Sequence, residues 1–272
     1  MRILTIVLLL ACAAPALAEP LVVANGRLFV AAKINGVASE ALLDSAAEAS
    51  LIDPRLAAKA HFPQGKDITV RGSGGDAKAQ VVEGVTIEML GQKVPVEAAV
   101  VADLSDISQR LIKRPTQAIV GREAFDALRL AIDIQGGTIT LATGTPGGVQ
   151  LPLTAHAGVE SVPVRIGGTA AQAEFDLGNG SEPMISRAMV TRLGLKITGK
   201  KAGGGIGGEL QRDLVTIPML EVAGKHFHDV IATIDDQPSA NDMNIGTSIL
   251  GEFLITTDFK QRAVWLTPRA PK

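Results

Sequence analysis

The chain has 272 residues and a formal charge of −2, with 26 basic side chains against 28 acidic ones, a balance that argues against nucleic acid as a partner. It has no tyrosine, one tryptophan and 29 glycines, so Val, Ile, Leu and Thr must build the core, and short strands with many turns are expected. A single cysteine, Cys12, leaves no intramolecular disulfide and no multi-thiolate metal site.

At the N-terminus, "MRILTIVLLLACAAPALAEP" places Arg2 before an apolar run that ends in the small-x-small pattern Ala16-Leu17-Ala18. This predicts a secretory signal over residues 1–18 and an exported mature chain, periplasmic or secreted. Its apolar core is too short to span a bilayer, and no later segment is apolar enough to re-enter one, so no membrane partner is expected after cleavage. Leu9-Leu10-Ala11 before Cys12 leaves a second reading, a lipoprotein anchored at that cysteine.

Next comes "LFVAAKINGVASEALLDSAAEASLIDPRLAAKA", residues 28–60. It reads as a strand, a tight Asn35-Gly36 turn, a second strand ending at Asp44, a loop of small residues, and a short helix. Asp53 with Pro54 supplies the helix cap and a first residue whose φ is already helical. A glycine cluster follows at 72–75, and "AIVGREAFDALRLAIDIQGGTITL" closes this half. The segment 143–152, "TGTPGGVQLP", is the join, which gives two units, 19–145 and 146–272.

The second unit repeats the order. "ESVPVRIGGTAAQAEFDLGNGSEPMISRAMVTRLGL" has a strand, a Gly167-Gly168 turn, a strand ending at Asp176, a small-residue loop, and a helix capped by Ser186 and ended by Gly194. Glycines recur at 203–208, and "MNIGTSILGEFLITTDFKQRAVWL" closes the copy. The ordered set, present twice, marks an internal duplication.

With those residues in view, the mature chain resembles the aspartic peptidases of the retroviral and pepsin-like superfamily, and in particular bacterial exported forms that carry both halves in one chain. "LLDSAAEASLI" and "EFDLGNGSEPMI" match the Asp loops, "GGGIGGEL" a flap tip, and "AIVGREAFDALRLAIDI" the closing element. The resemblance implies an all-β fold: two similar β-barrel lobes with short helices and an active-site cleft between them. It implies Asp44 and Asp176 as a catalytic pair, a peptide or unfolded protein as substrate, and no metal or cofactor. One chain supplies both lobes, so a monomer suffices.

Such a pair works because two adjacent carboxylates cannot both ionise; one keeps a proton while the other activates water. Ser45, Ala46 and Ala47, with Leu177, Gly178 and Asn179, would support the two loops. Ser45 can link the loops by its hydroxyl, whereas Leu177 cannot reciprocate. Ala46 replaces a usual glycine, at a cost of about 1–2 kcal/mol if that position requires a left-handed backbone, and Asn179 alters the polarity near Asp176. These departures give a second reading, a non-catalytic relative that binds peptides or serves as a scaffold in the periplasm. The flaps would be Gly72, Ser73, Gly74 and Gly75 in the first half, and Gly204, Gly205, Ile206, Gly207 and Gly208 in the second. Which of them covers substrate is open at this level.

Among other candidates, "GGGIGGEL" lacks the Lys-Ser/Thr of a phosphate loop. His226 and His228 share one side of a strand but have no third ligand nearby, so no metal is expected. Asp133 and Asp258 occupy matching positions and read as turn support.

Overall fold

The computed structural model describes residues 18–270, so the signal-like segment up to Leu17, with Cys12, lies outside the described residues. Among the described residues no helix is long and apolar enough to cross a membrane. The fold is all-β, with two lobes built on one plan and a third sheet that joins them.

In the first lobe, strands Arg27–Ile34 and Val37–Leu43 form a hairpin across Asn35 and Gly36, both with positive φ as a twisted two-residue turn requires. Alternation along Arg27–Ile34 sends Leu28, Val30, Ala32 and Ile34 into the main core. Val37–Leu43 then runs parallel to Ala118–Val120, which is antiparallel to Leu51–Ile52. The chain must therefore leave the sheet at Asp44 and return at Leu51, so Asp44 falls in a loop held between two strands. The helix Pro54–Lys59 starts as its sequence predicts, with the Asp53 side chain accepting from the Arg55 amide.

The second lobe repeats this. Val159–Ile166 and Thr169–Phe175 pair across Gly167-Gly168, and Thr169–Phe175 runs parallel to Met243–Ile245, which is antiparallel to Met184–Ser186. Ser186 caps Arg187–Leu193, and Gly194 ends it in the left-handed conformation. Val159–Ile166 also pairs with Gly208–Val222, which curls this sheet back on itself.

A six-stranded antiparallel sheet joins the halves, with strands from each in order Glu19–Pro20, Thr138–Leu141, Leu130–Asp133, Phe253–Asp258, Ala263–Pro268, Val149–Pro152. Its central pair brings Ile132 opposite Ile255, one strand from each closing element. Phe125 of the first half stacks on Phe259 of the second at 5.2 Å, and one continuous apolar core runs through both lobes. Fully buried Glu160 is an ionic tie between the halves: it pairs with Arg122 of the first lobe at 2.7 Å and with Arg262. This union of the lobes fixes where the two Asp loops meet.

Candidate active site

Asp44 and Asp176 occupy the same place in their lobes. The Asp44 amide donates to the Val120 carbonyl at 3.0 Å, and the Asp176 amide to the Ile245 carbonyl at 3.1 Å. Asp44 Oδ1 accepts from the amides of Ala46 and Ala47 at 2.9 and 3.0 Å; Asp176 Oδ1 accepts from those of Gly178 and Asn179 at the same two distances. Each carboxylate therefore has one oxygen committed to its own loop and the other turned elsewhere. The loops touch: a Cβ added at Gly178 would lie 2.3 Å from Asp44 Cγ. That contact is the reason for glycine here, and it is a reason of space. Neither Gly178 nor Ala46 has a positive φ, so the condition under which Ala46 would be strained is not met, and Ala46 keeps its amide on Asp44.

Ser45 links the loops as expected. Its Oγ donates to the Phe175 carbonyl at 2.7 Å and accepts from the Leu177 amide at 2.9 Å. The reciprocal arm is missing because Leu177 has no hydroxyl; its side chain is instead fully buried in the core. One serine thus satisfies two buried backbone groups of the other lobe. Ser45→Ala strands both, so we expect a stability loss of about 1–3 kcal/mol, read as a lower urea midpoint at constant slope. An unchanged midpoint would refute that role.

The pair sits in a graded electrostatic setting. Burial, and next the neighbouring Asp176, push the Asp44 carboxyl up to about 7, against the opposing pull of the Ala46 and Ala47 amides and of Arg27. Burial also raises Asp176, but its largest opposing influence is a side-chain hydrogen bond from Asn244. Asn244 Nδ2 donates to Asp176 Oδ2 at 2.8 Å and to Glu174 Oε2 at 3.0 Å, while its Oδ1 accepts from Asn179 Nδ2 at 2.8 Å. Two carboxylates so placed titrate as a pair, with the Asn244 donor favouring ionisation on the Asp176 side. The arrangement can hold an acid and a base side by side.

Arg27, Glu174 and Asn244 are absent from the sequence-based candidates. Arg27 is 5% exposed, donates to the Asn25 carbonyl at 3.2 Å, and favours the ionised form of both aspartates. Gly180 makes room for its stem, since a Cβ there would lie 2.7 Å from Arg27 Cγ. Asn244 carried a readable signal: it stands in "MNIG" where the first copy has Ile119 in "AIVG". Arg27 and Glu174 carried none beyond a charged residue at or near a strand end.

The two glycine hairpins meet at their tips. Strands Lys66–Gly72 and Gly75–Glu83 form one, and Ile197–Gly205 and Gly208–Val222 the other. Their tips interlock: the Gly74 amide donates to the Ile206 carbonyl at 3.0 Å, and Arg212 Nη2 donates to the Ser73 carbonyl at 2.9 Å. Side chains would block the approach, because a Cβ at Gly74 would lie 2.2 Å from the Gly208 carbonyl and one at Gly207 2.2 Å from that of Gly75. Gly205 faces Ser73 Oγ at a similarly short Cβ distance, Gly72 faces Ile206, and Gly204 takes a positive φ. Ile206 packs on an apolar cluster of the first lobe.

His226 and His228 are exposed on Lys225–Asp235, with His226 Nε2 3.6 Å from Glu221. Asp133 accepts from the Gly136 amide and pairs with Arg269, while Asp258 accepts from the Gln261 amide, so both support turns.

Compared with known proteins, the chain matches a family model described as aspartyl protease over residues 30–124 and again over 162–251. The two segments each contain one Asp loop, one glycine hairpin and the start of one closing element. No curated protein matches the chain.

Proposed function

The chain belongs to the aspartyl protease family, and on that premise we propose that it is an exported aspartic endopeptidase with Asp44 and Asp176 as its catalytic pair. One observation carries the reading: the loops have diverged in sequence, yet each gives its aspartate the same two-amide grip on one oxygen. Neither Ala46 nor Leu177 spoils that symmetry, which favours hydrolysis over the non-catalytic reading.

In the mechanism Asp44 holds the proton and Asp176, favoured as carboxylate by Asn244, is the base. Asp176 takes a proton from a water whose oxygen attacks the carbonyl carbon of the scissile bond. Asp44 donates to the carbonyl oxygen, so the charge developing there is neutralised as the tetrahedral diol forms. Asp176 passes its new proton to the amide nitrogen, Asp44 takes one back from a diol hydroxyl, the C–N bond breaks, and the amine and carboxylic acid leave. The substrate is an extended strand between the Asp loops and the two flaps, held mainly through its backbone. Folded proteins present few such strands, so peptides and unfolded segments are the substrates.

Residues 19–272, purified and mixed with a peptide library, should cleave internal bonds, fastest on the acid side of neutrality. Binding without turnover at any pH, unchanged when Asp44 is neutralised, would instead establish a peptide-binding protein.

A further inference from the structure

The two walls of the cleft are built on one register but have opposite chemistry. In the first lobe, Leu42 lies opposite Phe29 on one side and Ile119 on the other. In the second lobe the same register puts Glu174 opposite Ser161 and Asn244. On the hairpins, Ala79 lies opposite Ile68 where Arg212 lies opposite Lys201. The first-lobe residues form a single buried apolar cluster beneath the flaps, capped by Ile206 from the other lobe's hairpin. Their second-lobe counterparts are hydrogen-bonded instead: Ser161 accepts from Asn241, and Arg212 reaches Asp235. Once Ile206 lifts from it, the first wall alone offers apolar substrate side chains a fitting surface.

Glu174 is the member of the polar wall that reaches the reacting centre. Its carboxylate and that of Asp176 accept hydrogen bonds from the same Asn244 nitrogen, so the two lie one donor apart. Half-buried, it has no ion-pair partner among the described residues. The basic groups around it are engaged elsewhere: His156, whose field favours the Glu174 carboxylate, has its Nε2 3.0 Å from the Ser239 carbonyl, and Arg212 binds Asp235 and the Ser73 carbonyl. Burial, with Asp176 and Asp235 nearby, raises the Glu174 carboxyl against the pull of the Asn244 hydrogen bond. A substrate cation offsets this by favouring the ionised form through a charge-assisted hydrogen bond, so the selectivity strengthens as pH rises.

Resting on the peptidase reading above, we propose that Glu174 is a specificity residue: it selects lysine or arginine beside the scissile bond on the second-lobe side, paired with an apolar residue on the first-lobe side. A basic–apolar junction in an exported, unfolded segment is then the substrate class.

The test uses peptides that differ only at the residue next to the cleaved bond. The wild-type protein should favour the basic over the apolar peptide by about tenfold or more in kcat/KM. Glu174→Gln, of the same shape and still able to accept from Asn244, should bring that ratio close to one. Glu174→Leu, which installs the residue type of the first lobe, should invert it. A wild-type ratio near one, or a ratio unmoved by Glu174→Gln, overturns the assignment. If nothing is cleaved, the peptidase reading fails, and binding of the same peptides by fluorescence anisotropy decides the role of Glu174. Tighter binding of the basic peptide, lost in Glu174→Gln, sustains it; equal binding, or none, overturns it.

Discussion

Asp44→Asn and Asp176→Asn are each expected to lower kcat by roughly 10³–10⁴-fold or more, since each removes one half of a proton-transfer pair. The two variants should lose activity alike and the double variant little further, because the pair acts as a unit. Cleavage by either single variant at more than a few per cent of the wild-type rate rules out the dyad. Stability should move the other way. The Asp44 carboxyl is pushed up to about 7, chiefly by burial, so the folded chain holds its proton where the unfolded chain, with an ordinary carboxylate near pH 4, has released it. Stability therefore falls as pH rises from about 4 towards 7. A carboxamide at this position has no such proton to lose, so Asp44→Asn should melt higher than wild type at neutral pH and close to it in acid. Equal melting temperatures across that range would mean that Asp44 titrates as it does in the unfolded chain.

Much of this architecture was legible in the sequence because it repeats. Turn pairs Asn35-Gly36 and Gly167-Gly168, caps Asp53 and Ser186, and the two Asp loops are local signals, each set by a backbone requirement of a few residues. The same holds for Ser45, whose hydroxyl is the only side-chain group in either loop able to bridge to the other at that position. What stayed hidden depends on contacts between distant strands. Arg27 reaches the site only because Gly26 packs against Gly180, a meeting of two loops from different lobes. That the two hairpins interlock at their tips follows from the joining sheet, which ties the lobes together. The condition left open at Ala46 has a related answer: the position does not take a left-handed backbone, and at Gly178 the need for glycine is room for the facing carboxylate. Asn244 was the readable exception, a polar residue in a slot that is apolar in the other copy.

That exception leads to the second large effect. Asn244 is 5% exposed and gives Asp176 Oδ2 a donor at 2.8 Å; Ile119, its counterpart, has no donor to give Asp44. The donor stabilises the Asp176 carboxylate and so lets the pair lose its first proton at a lower pH. A hydrogen bond to a charged group is worth about 1.5–3 kcal/mol, or roughly 1–2 pH units. Asn244→Ile should therefore move the acid limb of the pH–rate profile upward by about that much, with activity on the acid side of the limb lowered roughly 10–100-fold. The alkaline limb follows the second proton of the pair, which the raised Asp44 places near 7, and should move less. Asn179→Ala, which removes the partner that orients Asn244 along with that side chain's bonds to the Ser181 amide and the Glu182 carbonyl, should shift the acid limb in the same direction by a smaller amount. Carboxyl carbon chemical shifts followed through a pH titration read the same change without substrate, and so separate proton placement from general damage to the fold. If Asn244→Ile lowers the rate equally at every pH and leaves the carboxyl titration where it was, Asn244 only packs the loop, and the division of labour between Asp44 and Asp176 must come from Arg27 and from the water and substrate that the cleft admits.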